Sequence, residues 1–305
     1  MAFTALDVKK LREMTNVGMM DCKAALTACD GDMDKAVDWL REKGLAKAAK
    51  KADRIAAEGV ALATVVDGIG VVIEVNAETD FASKTDAFQD LVKNLAVVVA
   101  KDAPADVEAL KACKYPNSDL TVTEILQEKV MSIGENMQIR RFDRYATGTS
   151  AAYIHAGGKI GVLVNMEVEG DVDAVEIGRN VAMQIAALNP RFWDKSQVTE
   201  DVLETEKRIM LVQMDNDPKM ASKPAQVKEK IVMGKLNKFY SENCLLQMEF
   251  VRGDLFEGTV EGYIAAAAKK AGGSVKFVTA VRFEKGEGIE KKEENFAEEI
   301  AKMVK

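Results

Sequence analysis

Two runs rich in β-branched and apolar residues, Gly59–Val66 and Ile69–Asn76, flank the dipeptide Asp67-Gly68. Both central residues of a type I′ turn need positive φ, so Asp-Gly between two such runs predicts a tight β-hairpin. After Phe81 the period changes. Phe88, Leu91, Val92, Leu95 and Val98 fall at helical spacing and predict a helix with one apolar face turned to the sheet. The changeover is Ala77-Glu78-Thr79-Asp80-Phe81-Ala82-Ser83-Lys84, at the exit of a strong strand. Thr79 or Asp80 is placed to cap the helix with a side-chain oxygen. The same corner sets a large aromatic beside a carboxylate.

The pattern then repeats. Ala151–Ala156 meets Gly157-Gly158 and is followed by the strand-like run Lys159–Val168. Gly70-Val71-Val72 aligns with Gly161-Val162-Leu163, and this register sets Glu78 against Glu169, Asp80 against Asp171 and Phe81 against Val172. A second helix follows, with Ile177, Val181, Ile185 and Leu188 on one face. Both copies end in similar strands, Ile139-Arg140-Arg141-Phe142 and Ala280-Val281-Arg282-Phe283. Two related α+β units are the economical reading. Capping alone would account for Asp80, which has a counterpart in Asp171. Phe81 has only Val172 opposite it. A buried aromatic at a helix start is common, so spacing favours core packing of Phe81 without settling it.

The first 54 residues read as a separate three-helix module. Thr4 with Asp7 gives a capping-box-like start to a helix bearing Val8 and Leu11. A turn at Asn16-Val17-Gly18 leads to a second helix over Met19–Leu26, stopped near Gly31. Asp32 caps a third, with Met33, Ala36, Val37 and Leu40 on one face and Gly44 at its end. Such a bundle, similar to ubiquitin-associated domains, buries a thin core and suits docking. One of Met19 and Met20 is expected in that core and the other outside it, where a methionine makes an adaptable contact. From Val198 to Tyr240 the chain is charged and helical, with Val202, Thr205, Ile209 and Val212 on one stripe. Asp215-Asn216-Asp217-Pro218 breaks the pattern, and Pro224 opens a second helix bearing Val227, Ile231 and Gly234. Two charged helices with a narrow apolar seam predict an antiparallel hairpin that projects from the body. The expected organisation is 1–54 as docking module, 55–146 and 147–284 as related core subdomains, a hairpin insertion at about 195–240, and a C-terminal module over 285–305.

Composition narrows the function. The chain has 305 residues, 48% of them apolar, a net charge of −7 and a pI of about 5.1. That balance argues against direct nucleic-acid binding, which calls for a basic face. The cluster Lys43, Lys47, Lys50, Lys51 and Arg54 reads as a solvated helix face or linker. No apolar run is long enough to span a bilayer, and Met1-Ala2-Phe3-Thr4 does not open a signal peptide. Cys22, Cys29, Cys113 and Cys244 form no Cys-x-x-Cys pair, and a single histidine gives too few ligands for zinc. Reduced thiols in a cytoplasmic protein fit this usage. A Ser-His-Asp or Cys-His constellation would need His155, which sits in a predicted strand. An enzyme is therefore unattractive, and no metal or cofactor is expected.

Taken together these residues resemble bacterial elongation factor Ts over essentially the whole chain. The resemblance rests on Met19-Met20-Asp21-Cys22-Lys23-Ala24-Ala25-Leu26 and Glu78-Thr79-Asp80-Phe81. It also rests on Lys223-Pro224 followed by Gly234-Lys235-Leu236-Asn237-Lys238-Phe239-Tyr240, and on Arg282-Phe283-Glu284-Lys285-Gly286-Glu287-Gly288-Ile289-Glu290. Ala82 stands where the family usually has valine, Asn16-Val17 where it has Gly-Ala, and Met248-Glu249 where it has Gln-Pro. The resemblance implies a guanine nucleotide exchange factor for elongation factor Tu, binding its GDP-bound and nucleotide-free forms. It implies that Thr79, Asp80, Phe81 and Ala82 form a corner that dislocates the partner's Mg²⁺, which would put Phe81 outside the core. It further implies that Met19 and Met20 dock on the GTPase domain, that His155 inserts at a second place, and that Phe296 and Ile300 in the final helix add contacts. Pairing of subunits through the hairpin or the core would also be consistent with the family. The alternative is a scaffold that docks and oligomerises without exchange activity.

Overall fold

The structure, a computed structural model, describes residues 3–15 and 17–290, without the side chains of residues 45–50. Three helices come first: α1 (Ala5–Thr15), α2 (Met19–Ala28) and α3 (Met33–Lys51). The first α+β unit follows, as β1 (Glu58–Val66), β2 (Ile69–Ala77), α4 (Asp80–Ser83), α5 (Asp86–Asp102), α6 (Val107–Ala112), α7 (Val122–Ile133) and β3 (Met137–Tyr145). The second comprises β4 (Thr149–His155), β5 (Ile160–Glu169), α8 (Ala174–Leu188), α9 (Glu200–Asn216), α10 (Pro218–Ala221), α11 (Ala225–Asn243), α12 (Val260–Lys270) and β6 (Ser274–Glu284).

Each unit holds a three-stranded antiparallel sheet, ordered β1-β2-β3 in one and β4-β5-β6 in the other. The predicted hairpin turn is present, with Asp67 at φ 50° and Gly68 at φ 82°. The internal repeat extends to an irregularity. The central strand of each sheet carries a register shift, at Glu74/Val75 and at Asn165/Met166, at the same offset that aligns Gly70 with Gly161. The closing tetrapeptides are not equivalent, however. Gly161 pairs with Phe283, and its counterpart Gly70 pairs with Tyr145, three residues beyond Phe142. Their likeness is a coincidence of composition rather than of position.

Side chains alternate between the two faces of each sheet. On the outer faces, Val71, Ile73 and Val75 pack against Phe88, Leu91 and Leu95 of α5, while Val162, Val164 and Met166 meet Ile177, Val181 and Ile185 of α8. Each fully buried large side chain contributes roughly 2 kcal/mol. Leu188, expected on the apolar face of α8, ends that helix and is exposed. On the inner faces, Ala61, Ala63, Val72, Leu163 and Phe283 are buried between the sheets, giving helix, sheet, sheet and helix layers. The repeated glycines have their reason here. A Cβ on Gly161 would lie 2.8 Å from the Ala61 carbonyl oxygen, and one on Gly70 would lie 2.5 Å from Ser150 Oγ.

The N-terminal helices differ from expectation in two respects. The third runs through Gly44 to Lys51. Gly44 is buried, and a Cβ there would lie 2.9 Å from Met131 Sδ, so it permits close approach of α3 to α7 instead of ending a helix. Arg41 and Glu128 bridge the same two helices at 3.4 Å. Neither Met19 nor Met20 is core. They are 52% and 76% exposed, because Cys22, Ala25 and Leu26 already fill the inward stripe of α2. The Thr4–Asp7 capping box forms, with Thr4 N–H donating to Asp7 Oδ2 at 2.7 Å and Asp7 N–H to Thr4 Oγ1 at 3.4 Å.

The charged segment folds as a hairpin of α9 and α11, with Pro218 at the start of the short α10 between them. Its seam is rotated from the predicted one. Met214, Val232, Leu236 and Phe239 are buried, whereas Ile209, Val212 and Val227 face outward. Several aliphatic carbons of a charged helix lie outside its seam, and the tertiary contact chooses among the stripes. Phe296 and Ile300 lie outside the described residues.

Candidate partner-binding corner

The corner begins where β2 ends. Thr79 is extended, at φ −125° and ψ 158°, and its Oγ1 accepts from Ala82 N–H at 3.2 Å, capping α4. Thr85 caps a second time and starts α5 at Asp86. The helix predicted directly after Phe81 is thus split into a single turn and a long helix. Neither Asp80 nor Asp171 is a cap. Thr79 serves in the first unit and Asp173 in the second, where Asp173 Oδ1 accepts from Val175 N–H at 3.1 Å.

This one turn sorts its side chains sharply. Ala82 and Ser83 are buried, and Ala82 belongs to the core of the first unit. Phe81 points the other way and is 79% exposed. A single exposed aromatic is ordinary on a protein surface, and what sets Phe81 apart is the bracing of the turn that carries it. At the equivalent place in the second unit, Val172 is half-buried against the second core.

The bracing comes from the segment between α7 and β3, which pattern reading missed. Glu135 accepts from Thr79 N–H at 2.9 Å and from Thr79 Oγ1 at 2.6 Å. Glu78 Oε1 accepts from Asn136 N–H at 2.6 Å and from Arg54 at 3.4 Å. Arg54, read as part of a solvated linker, is therefore a corner residue. The available signal was the helix stop at Gly134 followed by two polar residues before a strand. Asp80 pairs with Lys84 at 2.5 Å. The Lys84 hydrogen bond, aided by the charges of Lys84 and Lys285, holds the Asp80 carboxyl below the usual aspartate range. The carboxylate stays ionised beside Phe81.

Met19 and Met20 stand at the start of α2. His155 ends β4, exposed, with its Nδ1 3.2 Å from Tyr153 Oη. No hydrogen bond, ion pair or ring contact joins Met19, Met20, Phe81 and His155 to one another among the described residues. They are separate surface points. Among the described residues no group of His, Cys, Asp and Glu could hold a metal ion, and no helix is long and apolar enough to cross a membrane.

The sequence profile of the family described as Elongation factor TS matches residues 78–287. The chain belongs to the elongation factor Ts family. It is 44% identical to elongation factor Ts of Magnetococcus marinus over 307 residues, spanning 100% of this chain and 99% of that protein. It is 45% identical to elongation factor Ts of Syntrophotalea carbinolica, spanning 100% of each, and 45% identical to that of Clostridioides difficile, spanning 99% of each. The matched region of this elongation factor Ts family member opens at Glu78, the first residue of the corner. It closes at Glu287, just past β6, and leaves the N-terminal helices outside.

Proposed function

We propose that this protein is a guanine nucleotide exchange factor for elongation factor Tu and acts through binding energy alone, without bond chemistry. The observation that carries the reading is Phe81, exposed on a turn whose base is tied down by Glu135, Asn136 and Arg54. Thr79 caps the turn, Asp80 supplies a charge beside the ring, and Ala82 anchors the turn from inside. Phe81 is the wedge. In the bound partner, Mg²⁺ neutralises the phosphates of GDP and ties them to protein ligands. A wedge that shifts those ligands leaves the phosphate charges unscreened, and GDP leaves faster. Such a factor must bind the distorted partner better than the relaxed one.

The exposed Met19 and Met20 give the N-terminal helices an adaptable docking surface. His155 provides a second point of insertion, and Phe296 and Ile300 extend the contact. The division into docking module, two core subdomains, hairpin and C-terminal module is the organisation in which these points are carried. Fluorescent GDP loaded on elongation factor Tu tests the reading: the protein should accelerate release, and Phe81→Ala should abolish most of the acceleration. A scaffold reading gains support only from the outward Ile209, Val212 and Met233 of the hairpin, which could pair subunits. A folded protein that binds elongation factor Tu without accelerating release would favour it.

A further inference from the structure

The strand that carries the corner holds a charge where its pattern calls for an apolar residue. Glu74 lies among Val71, Val72, Ile73 and Val75 and is fully buried. Its Oε1 accepts from Arg140 Nη1 at 2.9 Å, from the Gly286 N–H at 2.8 Å and from Asn76 Nδ2 at 3.2 Å. Its Oε2 accepts from Arg141 Nε at 2.6 Å. A buried carboxylate is tolerated only when charge and hydrogen bonds answer it. The equivalent residue of the second unit is the uncharged Asn165, so the sheet itself does not require a carboxylate at this rung.

Gly286 lies beyond the end of β6, so Glu74 ties the exit of the second unit to the central strand of the first. The strap formed by Lys285, Gly286 and Glu287 is held along its length. Gly286 has φ 70°, and a Cβ there would lie 2.1 Å from the Ala57 carbonyl oxygen. Lys285 Nζ reaches Glu58 at 2.6 Å, and Arg141 Nη2 reaches Glu287 at 3.1 Å. Arg140 also donates to the Glu287 carbonyl. Glu58 opens β1 and pairs with Ala77, the last residue of β2 before the corner. The strap thus closes on the base from which Phe81 projects.

We infer that Glu74 is a positioning residue for the Phe81 corner, acting through Arg140, Arg141 and the strap to hold the base of the wedge rigid. The functional half of this inference rests on the exchange reading above. A wedge transmits binding energy into its partner only if its own support does not yield, and support of this kind comes from surrounding residues locked by packing and hydrogen bonds.

The test uses the full chain carrying Glu74→Gln, which keeps the shape and removes the charge, and separately Lys285→Met, a milder change that frees the strap from β1. Amide hydrogen exchange without partner should rise at least about tenfold at Ala82, Ser83 and Lys84 through local opening, while α8 rises no more than the loss of global stability accounts for. Acceleration of GDP release should fall about tenfold in the Phe81 background, with little further loss when either change is combined with Phe81→Ala. Corner amides unchanged in both folded variants would overturn the inference, as would an activity loss of equal size with and without Phe81. If the wild-type protein fails to release GDP, the exchange reading falls, and the corner amides alone decide the positioning role.

Discussion

At the residue scale, Phe81 and Glu74 break the pattern in opposite directions, one an aromatic left outside and the other a charge taken inside. Because Phe81 makes so few contacts within the protein, Phe81→Ala should change stability by no more than about 0.5 kcal/mol, while a truncated interface hot spot loses about 2 kcal/mol, roughly thirtyfold. Thermal melting beside the GDP-release assay checks both. A large fall in melting temperature with exchange intact would make Phe81 a core residue. Glu74 should show itself in acid. Burial works to raise its pKa, but the Gly286 N–H and the two guanidinium groups outweigh burial and hold it below the ordinary glutamate value of 4.5. A carboxyl with a lowered folded pKa stabilises the fold fully above its unfolded value, and that contribution drains as pH falls through the folded one. Melting temperature should therefore drop on acidification below about pH 4.5, and Glu74→Gln should flatten that slope. At neutral pH the same variant should lose about 2 kcal/mol, because the half-buried guanidinium groups of Arg140 and Arg141 meet a neutral amide in place of a carboxylate. An acid slope identical to wild type would assign the drop to other carboxylates.

At the element scale, the hairpin of α9 and α11 packs mainly along its own seam of Met214, Val232, Leu236 and Phe239, reinforced by the Lys228–Asp215 pair at 2.5 Å. Its foot joins Val198, Phe239 and Cys244 in a small separate cluster. Replacing residues 198–240 with a short loop should leave both sheets folded by circular dichroism and reduce exchange less than Phe81→Ala does. Insoluble protein, or complete loss of exchange, would show that the hairpin supports the core or the active interface. The elements also show how far the pattern reading reached. The β1–β2 turn, the long apolar faces of α5 and α8, the Thr4–Asp7 box and the break at Pro218 were legible, because each depends on residues close in sequence. The seam of the hairpin, the extent of α3 and the core stripe of α2 were not. Gly44 is a helix end by local rules and a contact point by tertiary ones.

At the scale of the whole molecule, two sheets face each other across repeated glycines. Gly161→Ala places a methyl 2.8 Å from a backbone oxygen that belongs to the other sheet. It should cost about 1–3 kcal/mol by forcing the sheets apart, read as a lower denaturation midpoint. An unchanged midpoint would mean that the interface is looser than its geometry. The exchange reading also carries a thermodynamic obligation. If this protein weakens GDP binding to elongation factor Tu, GDP must weaken its binding by the same factor. Titrating GDP with Mg²⁺ into the purified complex should dissociate it, and Phe81→Ala should shrink the antagonism. A complex indifferent to both would favour the scaffold.

The sequence by itself determined the α+β class, the internal repeat, the family and the place of the corner, because these follow from short-range period, turn chemistry and motif. For Phe81, spacing favoured the core while the family resemblance put it outside. The tertiary structure supplies the physical reason, since burial depends on which residues α4 turns toward the sheet, and Ala82 and Ser83 took that place. The structure alone also joined Glu74 to Gly286, Thr79 to Glu135 and Arg54 to Glu78. These partners lie far apart along the chain, and no periodicity brings them together. They meet because the exit of β6 crosses back onto the first sheet and the segment after α7 returns beside the end of β2.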